Sequence, residues 1–153
     1  HSDGLGLGSI FSIRLPLIAA KGPVLVAEKN KIIAPLRFLL VDDNEDATNS
    51  LSMLLKMLGH ETQAVYRGAD ALALLEKAHF DVVLLDIGLP DIDGYKVVQQ
   101  IRIADKNLIV IAVSGYGQAE DIRKALASGF SGHLTKPVSL DAFENTLNRL
   151  LPK

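Results

Sequence analysis

The sequence predicts an α/β domain in which a five-stranded parallel sheet carries helices on both faces. Five short apolar segments alternate with five segments whose apolar residues recur at helical spacing, and this alternation is typical of parallel sheets with crossover helices. In addition, residues 82–86 are an unbroken run of apolar residues that ends in a carboxylate. Such a run, bounded by turn residues, is typical of a strand buried on both faces.

The first half of the pattern contains two strands and two helices. An apolar strand at 38–41 precedes a helix at 45–58, whose apolar residues recur every three or four positions and which Gly59 ends. The strand at 61–66 is partly polar, which favours a position near an edge of the sheet. A second helix with an apolar face, at 68–78, completes this half.

The second half begins with the apolar run described above. It continues through the helix 95–103, the strand 108–113, the helix 118–128, the strand 132–135 and the helix 140–151. Gly129 ends the fourth helix and Ser139 caps the fifth, as expected from the residues that helices prefer at their ends. The pattern therefore predicts five strands, each followed by a helix.

The first 35 residues fall outside this alternation. Residues 1–17 combine a glycine-rich turn with a strand of alternating polarity. The glycines do not match a phosphate-binding loop, because that loop needs a strand before its glycines. Residues 18–35 are predicted to form a linker that contains at most one accessory strand. Because an unpaired apolar strand attracts a partner, a dimer through residues 1–17 is one expectation.

The composition argues against several classes of function. A formal net charge of −2 without basic clusters gives no support for a nucleic-acid or anionic membrane surface. The absence of cysteine excludes disulfides and thiolate metal sites and fits a reducing compartment. No apolar run is long enough to span a bilayer, and the first residues lack a basic segment of the signal-peptide type. We therefore expect a cytoplasmic chain without direct membrane contact.

Polar side chains follow four of the five predicted strands. They are Asp42 and Asp43 after the first strand, Asp86 at the end of the third, Ser114 after the fourth and Lys136 after the fifth. Each alone has an ordinary explanation as a turn, cap or surface residue. Because the carboxyl ends of parallel strands lie at one edge of the sheet, we expect all of them to converge there and form a site.

The residue types at this edge favour phosphoryl transfer. Two like charges about 4 Å apart repel by about 4 kcal/mol at an effective dielectric of about 20, so clustered carboxylates raise a pKa or attract a cation. Oxygen ligands with open positions suit Mg²⁺, whereas zinc is disfavoured because the four histidines (His1, His60, His79 and His133) are far apart in sequence. A metal, a lysine and a hydroxyl around one carboxylate match phosphoryl transfer to aspartate.

Residues 36–151 resemble a response-regulator receiver domain, and we assign this domain to residues 36–153. The matching motifs are Leu40-Val41-Asp42-Asp43-Asn44, Leu85-Asp86-Ile87-Gly88-Leu89-Pro90 with Asp93-Gly94, Val113-Ser114-Gly115, and Leu134-Thr135-Lys136-Pro137. The resemblance implies a flavodoxin-like, doubly wound (βα)5 fold with the strand order 2-1-3-4-5.

The resemblance also implies the roles of the reacting residues. Asp86 would accept a phosphoryl group from a phosphohistidine, while Ser114 and Lys136 would hold the phosphoryl oxygens. The peptide bond between Lys136 and Pro137 would be cis, an option specific to proline.

Mg²⁺ is the cofactor that the resemblance implies. Its ligands would be Asp43, Asp86 and the backbone carbonyl of Gly88, with Asp42 acting through water. These are the hard oxygen ligands that Mg²⁺ prefers.

One position departs from the family pattern. Where an aromatic residue often acts as a switch, this chain has His133. The side chain is either an ordinary, partly exposed histidine or a polar switch coupled to Ser114. We favour the ordinary histidine, because imidazole offers less apolar area to move inward and titrates near neutral pH. As a hypothesis, His133→Tyr alters partner binding more than phosphorylation.

Residues 1–17 resemble the closing strand of a histidine-kinase ATPase domain, although the ATP-binding motifs are not in this chain. Together with the receiver, this indicates the C-terminal receiver of a hybrid sensor histidine kinase. The implied partners are the kinase domain that dimerises and carries the phosphohistidine, and a histidine phosphotransfer protein. No nucleic-acid partner is implied.

The leading function is therefore a phosphoacceptor receiver in a two-component phosphorelay. Such a domain catalyses its own phosphorylation and the slow hydrolysis of the phosphoryl group. It is not a conventional enzyme. A pseudo-receiver that only binds proteins is the alternative, and the intact Asp86, Asp43 and Lys136 argue against it. An aspartyl-phosphate phosphatase would need a substrate-covering cap, for which the chain has no large insertion.

Overall fold

The computed structural model describes residues 34–151, which contain five strands alternating with five helices. The strands are β1 (Arg37–Val41), β2 (Glu61–Val65), β3 (Val82–Asp86), β4 (Ile109–Ser114) and β5 (Gly132–Thr135). The helices are α1 (Glu45–Met57), α2 (Gly68–Leu75), α3 (Gly94–Ala104), α4 (Ala119–Ala127) and α5 (Leu140–Leu150). Each of these elements was predicted, and the observed ends differ from the predicted ones by three residues or fewer.

The five strands form one parallel sheet in the order β2-β1-β3-β4-β5. This confirms the predicted doubly wound fold and its strand order, and it places β2 at the predicted edge. The chain leaves β1 toward β2 on one side and reaches β3 on the other. The carboxyl ends of β1 and β3 therefore flank the point where the strand order reverses, which is where sheets of this kind bind ligands.

The sheet is covered on both faces, which explains why all five residues of β3 are buried. One face packs against α2, α3 and α4, which contribute buried residues such as Ala71, Val97 and Ala125. The other packs against α1 and α5, through Leu55 and Phe143 among others. Because both faces of β3 are apolar, the carboxylate at its end is held at the boundary between the core and the surface.

Side-chain oxygens cap the helices that surround the sheet edge. Asn44 accepts from the Ala47 N–H at the start of α1, and Ser139 accepts from Ala142 N–H at the start of α5, as predicted. The cap of α2 comes from far along the chain. The Asp91 carboxylate accepts the N–H groups of Gly68 and Ala69 at 2.9 and 3.0 Å, and these bonds lower its pKa. The loop after β3 is thereby tied to α2.

The predictions for residues 1–17 and for most of the 18–35 linker lie outside the described residues, and they stay predictions. Within residues 34–151, no helix combines the length and the apolar character needed to cross a membrane.

His60 should make the domain less stable at mildly acidic pH. Its ring is buried against Phe38, with 5.1 Å between ring centroids, and its Nδ1 accepts the Leu36 N–H at 3.3 Å. Burial lowers the pKa of His60, so below about pH 6.5 the unfolded chain binds a proton that the folded chain resists. We expect the urea midpoint to be constant above that pH and to fall below it.

The matched variant His60→Gln keeps an acceptor but does not titrate in this range. Urea unfolding between about pH 7.5 and about pH 5.5 should show a smaller loss of midpoint in this variant than in the wild type. Equal losses in the two proteins would assign the acid sensitivity to other groups.

Candidate functional site

The structure brings the three predicted acids together at the carboxyl ends of β1 and β3. Asp42, Asp43 and Asp86 each offer a carboxylate oxygen, and these oxygens lie within 4.8 Å of one another. Asp86 is 7% exposed, Asp42 is partly buried and Asp43 is exposed. The cluster is therefore buried at Asp86 and open to solvent at Asp43. Such a set of oxygen atoms could hold a metal ion.

Lys136 completes the cluster from the end of β5. Its Nζ lies 2.6 Å from Asp42 Oδ2 and 3.1 Å from Asp86 Oδ2. Partial burial lowers the pKa of Lys136, but its hydrogen bonds and its attraction to the two carboxylates outweigh this effect and raise the pKa above its ordinary value. The lysine is therefore a permanent cation beside Asp86.

The end of β5 is also held against the end of β4. The Lys136 N–H donates to the Ser114 carbonyl at 2.7 Å, and the next peptide bond, Lys136–Pro137, is cis. These backbone contacts place the lysine next to the serine that ends β4.

Gly88 lies in the loop that connects β3 to α3. This loop also holds the end of β3 in place. Its N–H donates to Asp86 Oδ1 at 3.2 Å. The same loop closes where the Gly94 N–H donates to the Ile87 carbonyl at 3.0 Å, and Asp93 caps α3 by accepting the Tyr95 N–H.

Gly94→Ala should destabilise the domain by about 1–3 kcal/mol or more. A Cβ at this position would lie 2.5 Å from the Asp86 carbonyl oxygen and 2.7 Å from Ile87 Cα. Both neighbours are backbone atoms, so relief requires the loop that follows Asp86 to move. The measurement is the free energy of unfolding in urea.

Gly115→Ala is the matched control for that variant. A Cβ at Gly115 meets nothing within 4 Å, so its stability should change by only a few tenths of a kcal/mol, as is usual for exposed positions. Equal stability of the two variants would show that the loop can open without cost at Gly94.

Ser114 lies at the end of β4, buried and fully hydrogen-bonded. Its Oγ donates to the Tyr116 carbonyl at 2.7 Å, accepts the Tyr116 N–H at 3.3 Å and lies 2.9 Å from His133 Nε2. His133 is thus in direct contact with the serine.

The donor set fits Mg²⁺. Three carboxylates supply hard oxygen ligands, and the exposed side of the cluster leaves room for the waters that Mg²⁺ retains. Within residues 34–151, the cluster consists of carboxylates and includes no histidine.

Two contacts at the site were not predicted from the sequence, although Tyr116 was expected to flank the site. Asp91 ties the loop that carries Gly88 to α2, and Tyr116 provides the backbone groups that hold Ser114. Asp91 stands in a turn-rich loop, but its partners are 22 and 23 residues away, and no local pattern identifies them. Tyr116 acts through its backbone, which leaves no trace in its residue type.

An open parallel sheet with three acids and a lysine clustered at its carboxyl edge defines a doubly wound α/β domain with a charged site. Residues 38–148 match the family described as the response regulator receiver domain, and the chain belongs to this family. It is therefore a receiver domain of a two-component system, which confirms the resemblance of residues 36–151.

Several known proteins are similar to this chain. The sensor histidine kinase RcsC of Escherichia coli K12 is 38% identical over 112 residues, which cover 73% of this chain and 12% of that protein. The RcsC protein of Salmonella typhi is 34% identical over 142 residues, covering 92% of this chain and 15% of that protein. Thus the chain spans only a small part of the length of these kinases. The structure of the chemotaxis response regulator CheY4 of Vibrio cholerae has a TM-score of 0.72 at 28% identity, covering 77% of this chain and all of that one.

Proposed function

We propose that this receiver domain accepts a phosphoryl group from a phosphohistidine on Asp86, with Mg²⁺ bound beside it. The observation that carries the proposal is the position of the Asp86 carboxylate, 3.1 Å from the Lys136 ammonium at the switch point of the sheet. Two further acids stand within 4.8 Å, so the site can hold both a cation and the charge of a phosphoryl group.

The proposed transfer forms one bond and breaks another at phosphorus. An Asp86 carboxylate oxygen bonds to phosphorus while the bond from phosphorus to the donor imidazole nitrogen breaks, and that nitrogen keeps the electron pair. The Lys136 ammonium and the Ser114 hydroxyl hold the phosphoryl oxygens. Catalysis by such groups consists mainly of positioning and charge neutralisation.

Asp43, Asp86 and the Gly88 carbonyl are the proposed Mg²⁺ ligands, with Asp42 acting through water. Bound Mg²⁺ would neutralise charge on the carboxylates and the phosphoryl oxygens. The proximity of the Asp42, Asp43 and Asp86 oxygens, within 4.8 Å of one another, supports this proposal.

The surface beside the site supports a protein donor. A groove of about 540 Å³ lies between α1 and the connection from β5 to α5, and its lining is mainly apolar, including Leu51, Leu54 and Val138. On α1, Met53 and Met57 are 66% and 76% exposed. Apolar grooves and exposed apolar side chains are typical of protein contacts, which fits a phosphohistidine-bearing kinase domain or a histidine phosphotransfer protein.

We further propose that the parent protein is a hybrid sensor histidine kinase, with its receiver in residues 36–153. The similarity to part of the RcsC kinases supports this assignment. The resemblance of residues 1–17 to the last strand of a kinase ATPase domain, joined by the 18–35 linker, is part of the same proposal, as is a cytoplasmic location.

The test is the intact mass of the full chain after incubation with phosphoramidate, a small donor with a phosphorus–nitrogen bond. We expect one phosphoryl adduct with Mg²⁺ and none with a chelator. Borohydride reduction, which converts an aspartyl phosphate to an alcohol, should locate the adduct at Asp86. No adduct under any condition would contradict the proposal and favour the pseudo-receiver.

A further inference from the structure

The Ser114 hydroxyl has three hydrogen-bonding positions, and all three are used. A serine hydroxyl donates once and accepts twice. Its hydrogen points to the Tyr116 carbonyl, at 2.7 Å, and the Tyr116 N–H occupies one lone pair, at 3.3 Å. The remaining lone pair faces His133 Nε2, at 2.9 Å.

This arrangement assigns the donor on His133. Because the single hydroxyl hydrogen is engaged with the Tyr116 carbonyl, the imidazole completes the network by donating from Nε2–H. An aromatic residue without a ring N–H, as is common at this position in the family, cannot make this bond.

We propose that His133 is a positioning residue for the phosphoryl site, whose Nε2–H holds the Ser114 oxygen while the hydroxyl hydrogen turns from the Tyr116 carbonyl to a phosphoryl oxygen. This inference rests on the proposed function and adds a residue to it. His133 acts only through Ser114, since the serine is the group that would touch the phosphoryl oxygen.

The charges around His133 give the proposal a measurable consequence. Burial lowers the pKa of His133, while Asp121 of α4 and the Tyr116 backbone counteract this effect. The cation of the acidic cluster, Lys136, is paired with Asp42 and Asp86. A phosphoryl group on Asp86 that accepts the Ser114 hydroxyl brings new negative charge two hydrogen bonds from the ring, which favours the imidazolium. Binding of a phosphoryl group should therefore raise the pKa of His133, and protonation of His133 should favour the phosphorylated state by the same factor.

The first experiment follows the His133 imidazole by NMR in the full chain as pH changes, with Mg²⁺ alone and with Mg²⁺ and beryllofluoride as the phosphoryl mimic. His133→Gln identifies the signal by its loss. We expect a higher His133 pKa with beryllofluoride, and we expect Ser114→Ala to remove most of that increase.

Ser114→Ala also tests the direction of the bond in the unmodified protein. If the ring donates to Ser114, the bond favours a proton on the ring, so its removal should lower the pKa of His133 further. If the pKa rises instead, the ring is the acceptor and the proposal is overturned.

The second experiment is the pH profile of phosphorylation by phosphoramidate. Loss of a hydrogen bond worth about 1 kcal/mol should slow His133→Phe about fivefold at neutral pH and remove the inflection that the wild type shows at the His133 pKa. His133→Gln, whose amide can donate, should recover part of the rate without the inflection.

The outcomes separate this proposal from the proposed function. The positioning role alone would be overturned if the wild type forms the adduct but beryllofluoride leaves the His133 pKa unchanged. It would also be overturned if His133→Phe keeps the wild-type pH profile of phosphorylation. Failure of the wild type to form any adduct would overturn both.

Discussion

Asp86→Asn should abolish the Mg²⁺-dependent phosphoryl adduct. The amide keeps the size of the carboxylate and can still accept the Gly88 N–H, so the loop after β3 retains its shape. It removes the charged oxygen that we propose attacks phosphorus, and it also removes one of the three clustered acids proposed to hold Mg²⁺. We expect the rate of adduct formation, measured by intact mass with phosphoramidate, to fall at least about a thousandfold.

Asp70→Asn is the matched control for this variant. Asp70 is an exposed acid in the first turn of α2 and does not belong to the cluster of Asp42, Asp43 and Asp86, so its removal should leave the adduct unchanged. Urea unfolding of Asp86→Asn establishes that it is folded, and we expect no loss of stability because one of three repelling charges is gone. Retention of a wild-type adduct in Asp86→Asn would place the acceptor at another residue.

Lys136→Met should slow phosphorylation by about a hundredfold to a thousandfold at saturating Mg²⁺. Methionine replaces much of the apolar stem but not the ammonium that touches Asp42 and Asp86 at 2.6 and 3.1 Å. In the proposed reaction, loss of this cation would leave the phosphoryl charge beside carboxylates with Mg²⁺ as its main counterion. The measurement is the rate of adduct formation at several Mg²⁺ concentrations.

Two controls test whether the rate of adduct formation depends on the position of the positive charge or only on its presence. Lys77→Met removes an exposed lysine in the turn after α2 and should keep the wild-type rate. Lys136→Arg keeps the positive charge, but its planar fork does not reproduce a compact ammonium between two carboxylates, so its rate should fall between those of the wild type and Lys136→Met. A wild-type rate for Lys136→Met would remove the lysine from the proposed mechanism.

The limits of the sequence analysis are clearest in α1. Its apolar residues correctly predict a helix that packs on the sheet, and Leu55 is buried as expected. Ala47 and Leu58 belong to the same series of apolar residues, spaced three or four positions apart, but they are exposed. Periodicity identifies the face of a helix, but it does not say how much of that face the neighbouring elements cover.

The sequence by itself determined the order of the elements, the burial of β3 and the set of acids that meet at the sheet edge. These features follow from local rules, because strand and helix periods depend on backbone geometry and parallel strands end on one side. The strand order came from the family resemblance, since periodicity does not say which strands are neighbours.

The tertiary structure alone decided which groups touch. Three contacts join atoms from different parts of the chain. They are the hydrogen bonds from the start of α2 to Asp91, the close approach of Gly94 to the Asp86 backbone, and the hydrogen bond between Ser114 and His133. Such contacts depend on the packing of strands, loops and helices to within an ångström, because a hydrogen bond or a backbone clash forms or vanishes over that distance. No repeating pattern along the chain carries that information.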